Sequence, residues 1–229
     1  MQNESKHCGS CGWIGSTIGR KQVIGLTGLG LSGFLFTHML GNMLIIVGPQ
    51  AYNQYAHALT SNPLIYAAEV GLVFMFLVHL LLAVRLSLAG LRARDSRYAV
   101  LSSGAKATSW IQRTLWPQGL LILAFAVSHL VTMKYGAHYT VNYGQGEIRD
   151  LHKLVVEVFM EPGFVIGYLV ALVILGLHVS HGVSSAVQTL GVHHPRFQKG
   201  IRCTSILYAI VVIGGFISQP LYVFFIHRG

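Results

Sequence analysis

Residues 64–91 read LIYAAEVGLVFMFLVHLLLAVRLSLAGL, an apolar run whose only charged side chains are Glu69 and Arg85. A helix needs about 20 mostly apolar residues to cross the hydrocarbon core of a bilayer, so this run is long enough to span a membrane. His79 lies in its interior, where an ionisable side chain is energetically costly and usually functional. The stretch therefore predicts a transmembrane helix that carries a functional histidine.

Four further stretches have the same character. They cover residues 23–47, 115–133, 163–190 and 203–226, and turn-forming dipeptides such as Gly48-Pro49 and Asn62-Pro63 lie between them. The strands of a transmembrane barrel would alternate in polarity over about ten residues, whereas these runs are continuous and longer. We therefore predict an all-α integral membrane bundle of five transmembrane helices, formed by residues 22–229 and preceded by a cytoplasmic N-terminal tail, residues 1–21.

The composition agrees with this fold class. The chain has 229 residues, of which 53% are hydrophobic and 10% charged, whereas a soluble domain carries roughly a quarter charged residues. The cations lie between apolar runs rather than on a soluble surface, so the composition does not indicate a nucleic-acid-binding protein. Three cysteines exclude a disulfide scaffold, and no cleavable secretory signal is expected. The CxxC pair Cys8 and Cys11 is interpreted as part of a flexible tail, with metal binding or partner contact as the alternative.

The distribution of Lys and Arg predicts the orientation. Most of the 16 cations fall on the side of the N-terminus, namely Lys6, Arg20, Lys21, Arg85, Arg92, Arg94, Arg97, Lys106, Arg113, Arg196, Lys199 and Arg202. The other side has Lys134, Arg149, Lys153 and Arg228, together with several acidic residues. Because short loops rich in Lys and Arg stay in the cytoplasm, the N-terminus is predicted to lie inside and the C-terminus outside.

Four of the 12 histidines lie within predicted spans, one on each of the first four: His38, His79, His129 and His178. Consecutive spans run in opposite directions. At 1.5 Å per residue, His38 and His129 fall in the outer half of the bilayer, and His79 and His178 fall at or inside its middle. The sequence therefore predicts two layers with two histidines each.

Such a pair of imidazoles suits the axial ligation of a haem iron, whereas structural zinc needs four ligands at one point. Gly41 and Gly182 follow their histidines by about one helical turn and would leave room for a macrocycle. The second ring nitrogens of His38 and His129 are expected to reach the carbonyls of Phe34 and Phe125. His181 lies three residues after His178 on nearly the same face, so composition alone leaves either as the ligand.

From about Arg20 to the C-terminus, the chain resembles the five-helix, di-haem cytochrome b anchor of succinate:menaquinone oxidoreductases and quinol:fumarate reductases. The resemblance rests on Phe34-Leu-Phe-Thr-His38, on the segment from Ala51 to Pro63, and on Tyr66-Ala-Ala-Glu69 leading to His79. Ala126-Val-Ser-His129 and His178-Val-Ser-His-Gly182 complete it.

The resemblance implies two b haems, an outer one held by His38 and His129 and an inner one held by His79 and His178. It favours His178 over His181, because a Ser and a Gly follow at the spacing of Ser180 and Gly182. It also implies a flavoprotein with FAD and an iron–sulfur protein on the inner face, exchange of electrons with menaquinone near the outer haem, and a bacterial cytoplasmic membrane. Dicarboxylate chemistry would take place on the flavoprotein.

Candidates for the quinone site are less specific. Glu69 is the one acid close to a span that could serve quinone protonation. The alternative interpretation, that Glu69 is a solvated carboxylate at the membrane interface, fits the sequence at least as well. Gln54, His57 and Tyr52 in the first outer loop are comparable candidates. The polar outer segment from Lys134 to Glu161 is predicted to contain a short interfacial helix.

Three alternative functions remain open at this point. One is a di-haem cytochrome b of a hydrogenase or formate dehydrogenase. Another is a metal or proton transporter that uses membrane histidines, which would favour helices interrupted by Gly or Pro at the substrate site. The last is a haem-free structural anchor, which would leave four intramembrane imidazoles without a role.

Overall fold

The computed structural model describes residues 15–92, 110–192 and 194–226. In chain order the elements are α1 (Thr17–Asn42), α2 (Leu44–Val47), α3 (Pro49–Thr60), α4 (Leu64–Arg92), α5 (Trp110–Arg113), α6 (Leu115–His129), a π-helical turn (Leu130–Lys134), β1 (Thr140–Asn142), β2 (Glu147–Arg149), α7 (Leu151–Met160), α8 (Pro162–Thr189) and α9 (Pro195–Ile226). Within these described ranges, five helical segments are long and apolar enough to cross a membrane. This confirms a helical, multi-pass membrane bundle.

The limits of the spans agree with the apolar runs except at two helix starts. The first span begins at Thr17, inside the predicted tail, where the Ser16 hydroxyl accepts a hydrogen bond from the Gly19 amide (3.0 Å) and caps the helix. The last span begins at Pro195 rather than residue 203, so Arg196, Lys199 and Arg202 are helical and not in a loop. Proline is favoured in the first turn of a helix, and long cationic side chains can extend from a helix end towards water. Cys8, Cys11, Lys6, Arg94, Arg97, Lys106 and Arg228 lie outside the described residues.

The predicted outer loops contain more structure than expected. Residues 49–60 form α3 rather than a loop, and α7 provides the short helix expected between Lys134 and Glu161. An antiparallel hairpin pairs Thr140 with Arg149 and Asn142 with Glu147. Two glycines, Gly144 and Gly146, have φ of 90° and 107°, the left-handed region that a tight turn often requires.

One buried asparagine holds these connecting elements together. Asn53 of α3 is fully buried. Its side chain donates to Asp150 Oδ1 (2.8 Å) and to Tyr143 Oη (3.1 Å), and its carbonyl oxygen accepts from the His152 amide (2.8 Å). Because a buried amide is costly unless hydrogen-bonded, this set of bonds fixes α3 against the hairpin and the start of α7. The arrangement forms a cap over one end of the bundle.

The five spans differ in how many of their side chains are buried. Helices α8 and α9 share an apolar core of Leu172, Leu175, Val179, Ala209 and Ile213. Helix α1 approaches α8 closely at Gly25, where an added Cβ would lie 3.5 Å from the Ala186 Cα. In contrast, none of the described side chains of α4 is buried, and Gln118 is the one buried residue of α6. Helices α1, α8 and α9 therefore form the packed part of the bundle, and α4 and α6 lie at its edges.

Candidate functional site: two histidine pairs within the bundle

The outer pair consists of His38 on α1 and His129 on α6. Their ring centroids lie 5.9 Å apart and their ring planes are at 88°. Phe34 stacks on His38, with centroids 5.2 Å apart and an interplanar angle of 17°. The ring of Phe216 on α9 also lies beside His38, with centroids 5.8 Å apart. Aromatic side chains from α1 and α9 therefore flank His38.

The ring nitrogens of the outer pair contact side chains rather than the carbonyls of Phe34 and Phe125, so that expectation is wrong. His129 Nδ1 lies 3.1 Å from the Tyr168 hydroxyl on α8. The Asn42 amide nitrogen lies 3.4 Å and 3.5 Å from the two ring nitrogens of His38, and it donates to the His38 carbonyl at 2.8 Å. The Tyr168 hydroxyl reaches His129 from another helix, and the Asn42 amide reaches His38 from one turn later on the same helix.

Tyr52 connects the outer pair to the cap. It is buried on α3 and donates a hydrogen bond to Asn42 Oδ1 at 2.8 Å. Burial, with the neighbouring Tyr168 as the second cause, raises the pKa of the Tyr52 hydroxyl well above its usual range. Tyr52 therefore stays protonated and acts as the donor to Asn42, which in turn contacts His38.

The inner pair consists of His79 on α4 and His178 on α8, with ring centroids 6.4 Å apart and planes at 70°. His79 Nδ1 lies 3.1 Å from both the Ile24 carbonyl and the Thr27 hydroxyl of α1. A carbonyl oxygen can only accept a hydrogen bond, so His79 Nδ1 carries the proton. In the neutral ring Nε2 is then unprotonated and can bind a metal.

A glycine permits this approach of α1 to His79. A Cβ placed on Gly28 would lie 3.2 Å from His79 Cε1 and 3.5 Å from its Nδ1. That spacing is tighter than ordinary van der Waals contact, so any side chain at position 28 would push against the ring. Gly28 therefore sets the position of His79 relative to α1.

His178 has a buried ring nitrogen that is available to a ligand. Its Nδ1 is buried and has no hydrogen-bond partner among the described residues. His181 lies three residues further along α8. The ring that lies against His79 is that of His178, with centroids 6.4 Å apart. A buried polar atom without a hydrogen-bond partner is unfavourable, so a ligand bound at this nitrogen would stabilise it. The contact with His79 and the unpartnered nitrogen both favour His178 over His181 as the ligand.

The spacing of both pairs can be compared with the size of a bis-imidazole metal centre. A metal–imidazole bond is about 2 Å long, so two rings on opposite sides of one iron have centroids about 6 Å apart. The observed distances of 5.9 Å and 6.4 Å fit this value. The structure thus brings together the pairs that the depths in the sequence predict, and their role as axial ligands stays a prediction.

The two predicted small neighbours differ in their surroundings. A Cβ on Gly41 would lie 2.6 Å from the Tyr55 hydroxyl, so the space beside Gly41 is filled by α3. No atom lies within 4 Å of the corresponding position on Gly182. Open space beside a histidine is therefore found at Gly182 and not at Gly41.

The predicted quinone-site residues do not gather at the outer pair. Glu69 forms an ion pair with Lys134 (2.5 Å), and both side chains are about 40% exposed. Gln54 and His57 are exposed on α3. In the described part of the chain, none of these three residues forms a hydrogen bond or ring contact with His38 or His129. Of the four candidates, Tyr52 is the one linked to the pair, through Asn42.

The sequence did not single out Thr27, Gly28, Asn42 and Tyr168 as parts of the site. A signal existed for Gly28 and Tyr168. Small residues recur along α1 at Gly25 and Gly28, a pattern typical of close contact between membrane helices. Tyr168 is the one polar side chain in the stretch from residue 163 to residue 177 of its span, which marks it as a candidate functional residue.

Comparisons of the chain with family models, curated proteins and solved structures give no match.

Proposed function

We propose that the chain is the di-haem cytochrome b membrane-anchor subunit of a succinate:menaquinone oxidoreductase or quinol:fumarate reductase. The observation that carries this proposal is the presence of two histidine pairs, His38–His129 and His79–His178, whose spacing suits a bis-imidazole iron centre. Each pair joins α1 or α8, which are well packed, to α4 or α6, whose side chains are mostly not buried.

The chain's own residues would hold and orient the two groups. His38 and His129 would ligate the outer b haem, and His79 and His178 the inner one, with the Ile24 carbonyl and Thr27 fixing the His79 tautomer. A bound b haem supplies reversible one-electron chemistry. The residues of the bundle would keep both centres in an apolar medium at two depths, which suits passage of electrons between a partner on one side and menaquinone near the other.

The charge distribution supports a docking face for soluble partners. The chain places exposed cations at the ends of α1, α4 and α9 and on α5: Lys21, Arg92, Arg113, Arg196, Lys199 and Arg202. With alternating spans, these ends lie on one side of the bilayer. By the positive-inside rule this would be the cytoplasmic face of a bacterial inner membrane. It would receive an iron–sulfur subunit and a flavoprotein with FAD, where the dicarboxylate chemistry would occur.

Purification of the native complex in mild detergent tests this proposal. We expect a flavoprotein with FAD and an iron–sulfur subunit to co-purify with the chain, and succinate to reduce its b-type absorbance. Co-purification of a hydrogenase or formate dehydrogenase subunit, with no response to succinate, would contradict the proposal in favour of another di-haem cytochrome b. A colourless protein would favour a transporter or a haem-free anchor.

A further inference from the structure

A hydroxyl group of α9 bridges two backbone groups of α8 just after His178. Ser205 of α9 is 1% exposed. Its hydroxyl donates a hydrogen bond to the Ser180 carbonyl oxygen (2.5 Å) and accepts one from the Ser184 amide (3.1 Å). In a regular α-helix the amide of each residue bonds to the carbonyl four residues earlier, and Ser184 and Ser180 are such a pair. The Ser205 hydroxyl therefore takes part in the backbone hydrogen bonding of this turn.

A second hydroxyl acts on the same stretch of α8. Ser180 Oγ donates to the Leu177 carbonyl oxygen at 2.9 Å. Serine side chains that bond to carbonyls of the preceding turn compete with the bonds of the helix itself and often bend it. A side chain inserted between helical amide and carbonyl groups has the same effect. The path of α8 through residues 177–184 is therefore set by hydroxyl groups as well as by its own backbone.

His178 lies in this stretch, and the direction of its ring depends on the path of the helix. The ring of His79 is held through Nδ1, which lies 3.1 Å from the Ile24 carbonyl oxygen of α1. His178 Nδ1, in contrast, is buried and has no hydrogen-bond partner in the part of the chain that the structure describes. A change in the α8 backbone two residues after His178 would therefore turn its ring relative to that of His79.

The two bonds of Ser205 require a group that both donates and accepts. A hydroxyl has one O–H donor and acceptor lone pairs, whereas a thiol is weak in both roles. Serine and threonine side chains form such bonds between helices within membranes. Around this contact α8 and α9 otherwise pack through apolar side chains such as Leu175 and Ala209, so an alanine at position 205 would fill most of the same space. The hydroxyl is thus needed for the backbone bonds rather than for packing.

We propose that Ser205 is a positioning residue of the inner histidine pair. Its hydroxyl holds the turn of α8 that follows His178, and this turn sets the angle between the rings of His178 and His79, whose planes are at 70°. The inference rests on the proposed function, because the angle between two axial imidazoles influences the electronic state of the iron that they share. Ser205 acts through the backbone of α8 and is not itself a ligand.

The variant Ser205→Ala in the native complex tests this proposal. Potentiometric titration measures both b-type transitions, and electron paramagnetic resonance of the oxidised complex reports the angle between the axial rings. We expect the reduction equilibrium of the inner transition to change by about threefold to tenfold, the range for one hydrogen bond, which is about 30–60 mV for a one-electron couple. The resonance of the inner haem should shift as well. The outer transition should keep its potential.

Matched variants separate the hydroxyl from the volume of the side chain. Ser205→Cys has nearly the same volume and a weakly bonding group, so it should shift the inner potential in the same direction as Ser205→Ala, and it decides if the alanine variant fails to fold. Thr204→Ala, at the exposed neighbouring position, should leave both transitions unchanged. An inner transition and resonance that are unaltered in both Ser205 variants, or an equal shift of both transitions, would overturn the proposal.

Haem content of the wild-type complex separates this proposal from the proposed function. A wild-type complex with two haems, together with unaltered Ser205 variants, overturns the role of Ser205 and leaves the proposed function standing. A haem-free wild-type complex overturns the proposed function, and the role of Ser205 falls with it.

Discussion

The outer and inner histidine pairs have similar spacing but different surroundings. The outer pair lies among the aromatic side chains Phe34, Phe216 and Tyr168, and its ring nitrogens contact side-chain amide and hydroxyl groups. The inner pair relies on the backbone of α1, because the Ile24 carbonyl accepts from His79 and Gly28 permits the approach. The two pairs thus have similar distances between their rings. Side-chain contacts position the outer pair, whereas close packing of the α1 backbone positions His79 of the inner pair.

This difference implies that the two pairs respond to different substitutions. A cap of α3, the hairpin and α7 lies over the outer pair and is connected to it through Tyr52 and Asn42. The inner pair depends on the distance between α1 and α4. Variants at either depth should therefore change one redox transition and leave the other intact.

The largest effect is expected from the histidines themselves. Replacing His38 or His129 with Ala should remove one of two b-type redox transitions, and replacing His79 or His178 should remove the other. Each haem would need both of its axial histidines, so loss of either one should prevent normal haem binding at that site. Potentiometric titration of the haem absorbance measures this. His181→Ala and His57→Ala are the controls and should leave both transitions. If His38→Ala and His79→Ala removed the same transition, the assignment of pairs would be wrong.

The next effect concerns the cap. Asn53→Leu removes the three hydrogen bonds of a fully buried amide side chain and leaves their partners unsatisfied, which should lower stability by about 2–5 kcal/mol. Thermal unfolding of the detergent-solubilised protein measures the loss. The neighbouring exposed Gln54→Leu is the control. Because the cap is linked to the outer pair through Tyr52 and Asn42, the outer transition should shift more than the inner one, and an equal shift of both would contradict the comparison.

A smaller and local effect is expected at Gly28. Gly28→Ala places a methyl group 3.2 Å from His79 Cε1, so the ring or α4 must move. The inner transition should shift or lose occupancy while the outer one keeps its potential. Gly33→Ala on the same helix, with no atom within 4 Å, should change neither. An unaltered inner transition in Gly28→Ala would show that α1 does not position His79.

The smallest effect is expected from the hydrogen-bonding partners of the rings. A histidine that donates its second N–H becomes a stronger ligand for oxidised iron, so Tyr168→Phe should raise the outer potential, by about 20–60 mV if one hydrogen bond is lost. Thr27→Ala should shift the inner potential less, because Ile24 still accepts from His79. If Thr27→Ala shifted the inner potential more than Tyr168→Phe shifts the outer one, the Thr27 side chain and not the Ile24 carbonyl would be the main partner of His79.

The spans and the pairing could be predicted from the sequence because both depend on local properties. Continuous apolar runs set the limits of the spans closely except at the starts of α1 and α9, and the position of each histidine along its run sets its depth. The start of α9 was placed too late because Arg196, Lys199 and Arg202 resemble loop residues, although they extend from a helix end. The hairpin was missed even though Gly144 and Gly146 are typical turn residues.

The partners of the histidine rings could not be predicted, because they depend on how the helices face one another. Tyr168 reaches His129 from another helix, and the Ile24 carbonyl reaches His79 across the α1–α4 contact. Intrahelical spacing favoured the carbonyls of Phe34 and Phe125, which are bonded within their own helices. Packing of the spans, rather than position along them, decides these contacts.

A reduced-minus-oxidised absorbance spectrum, with haem quantification, of the purified complex containing all subunits directly tests whether the two histidine pairs hold haem. We expect b-type bands and two b haems per chain, one for each histidine pair. A preparation with every subunit present and no absorbance in the Soret region would contradict it.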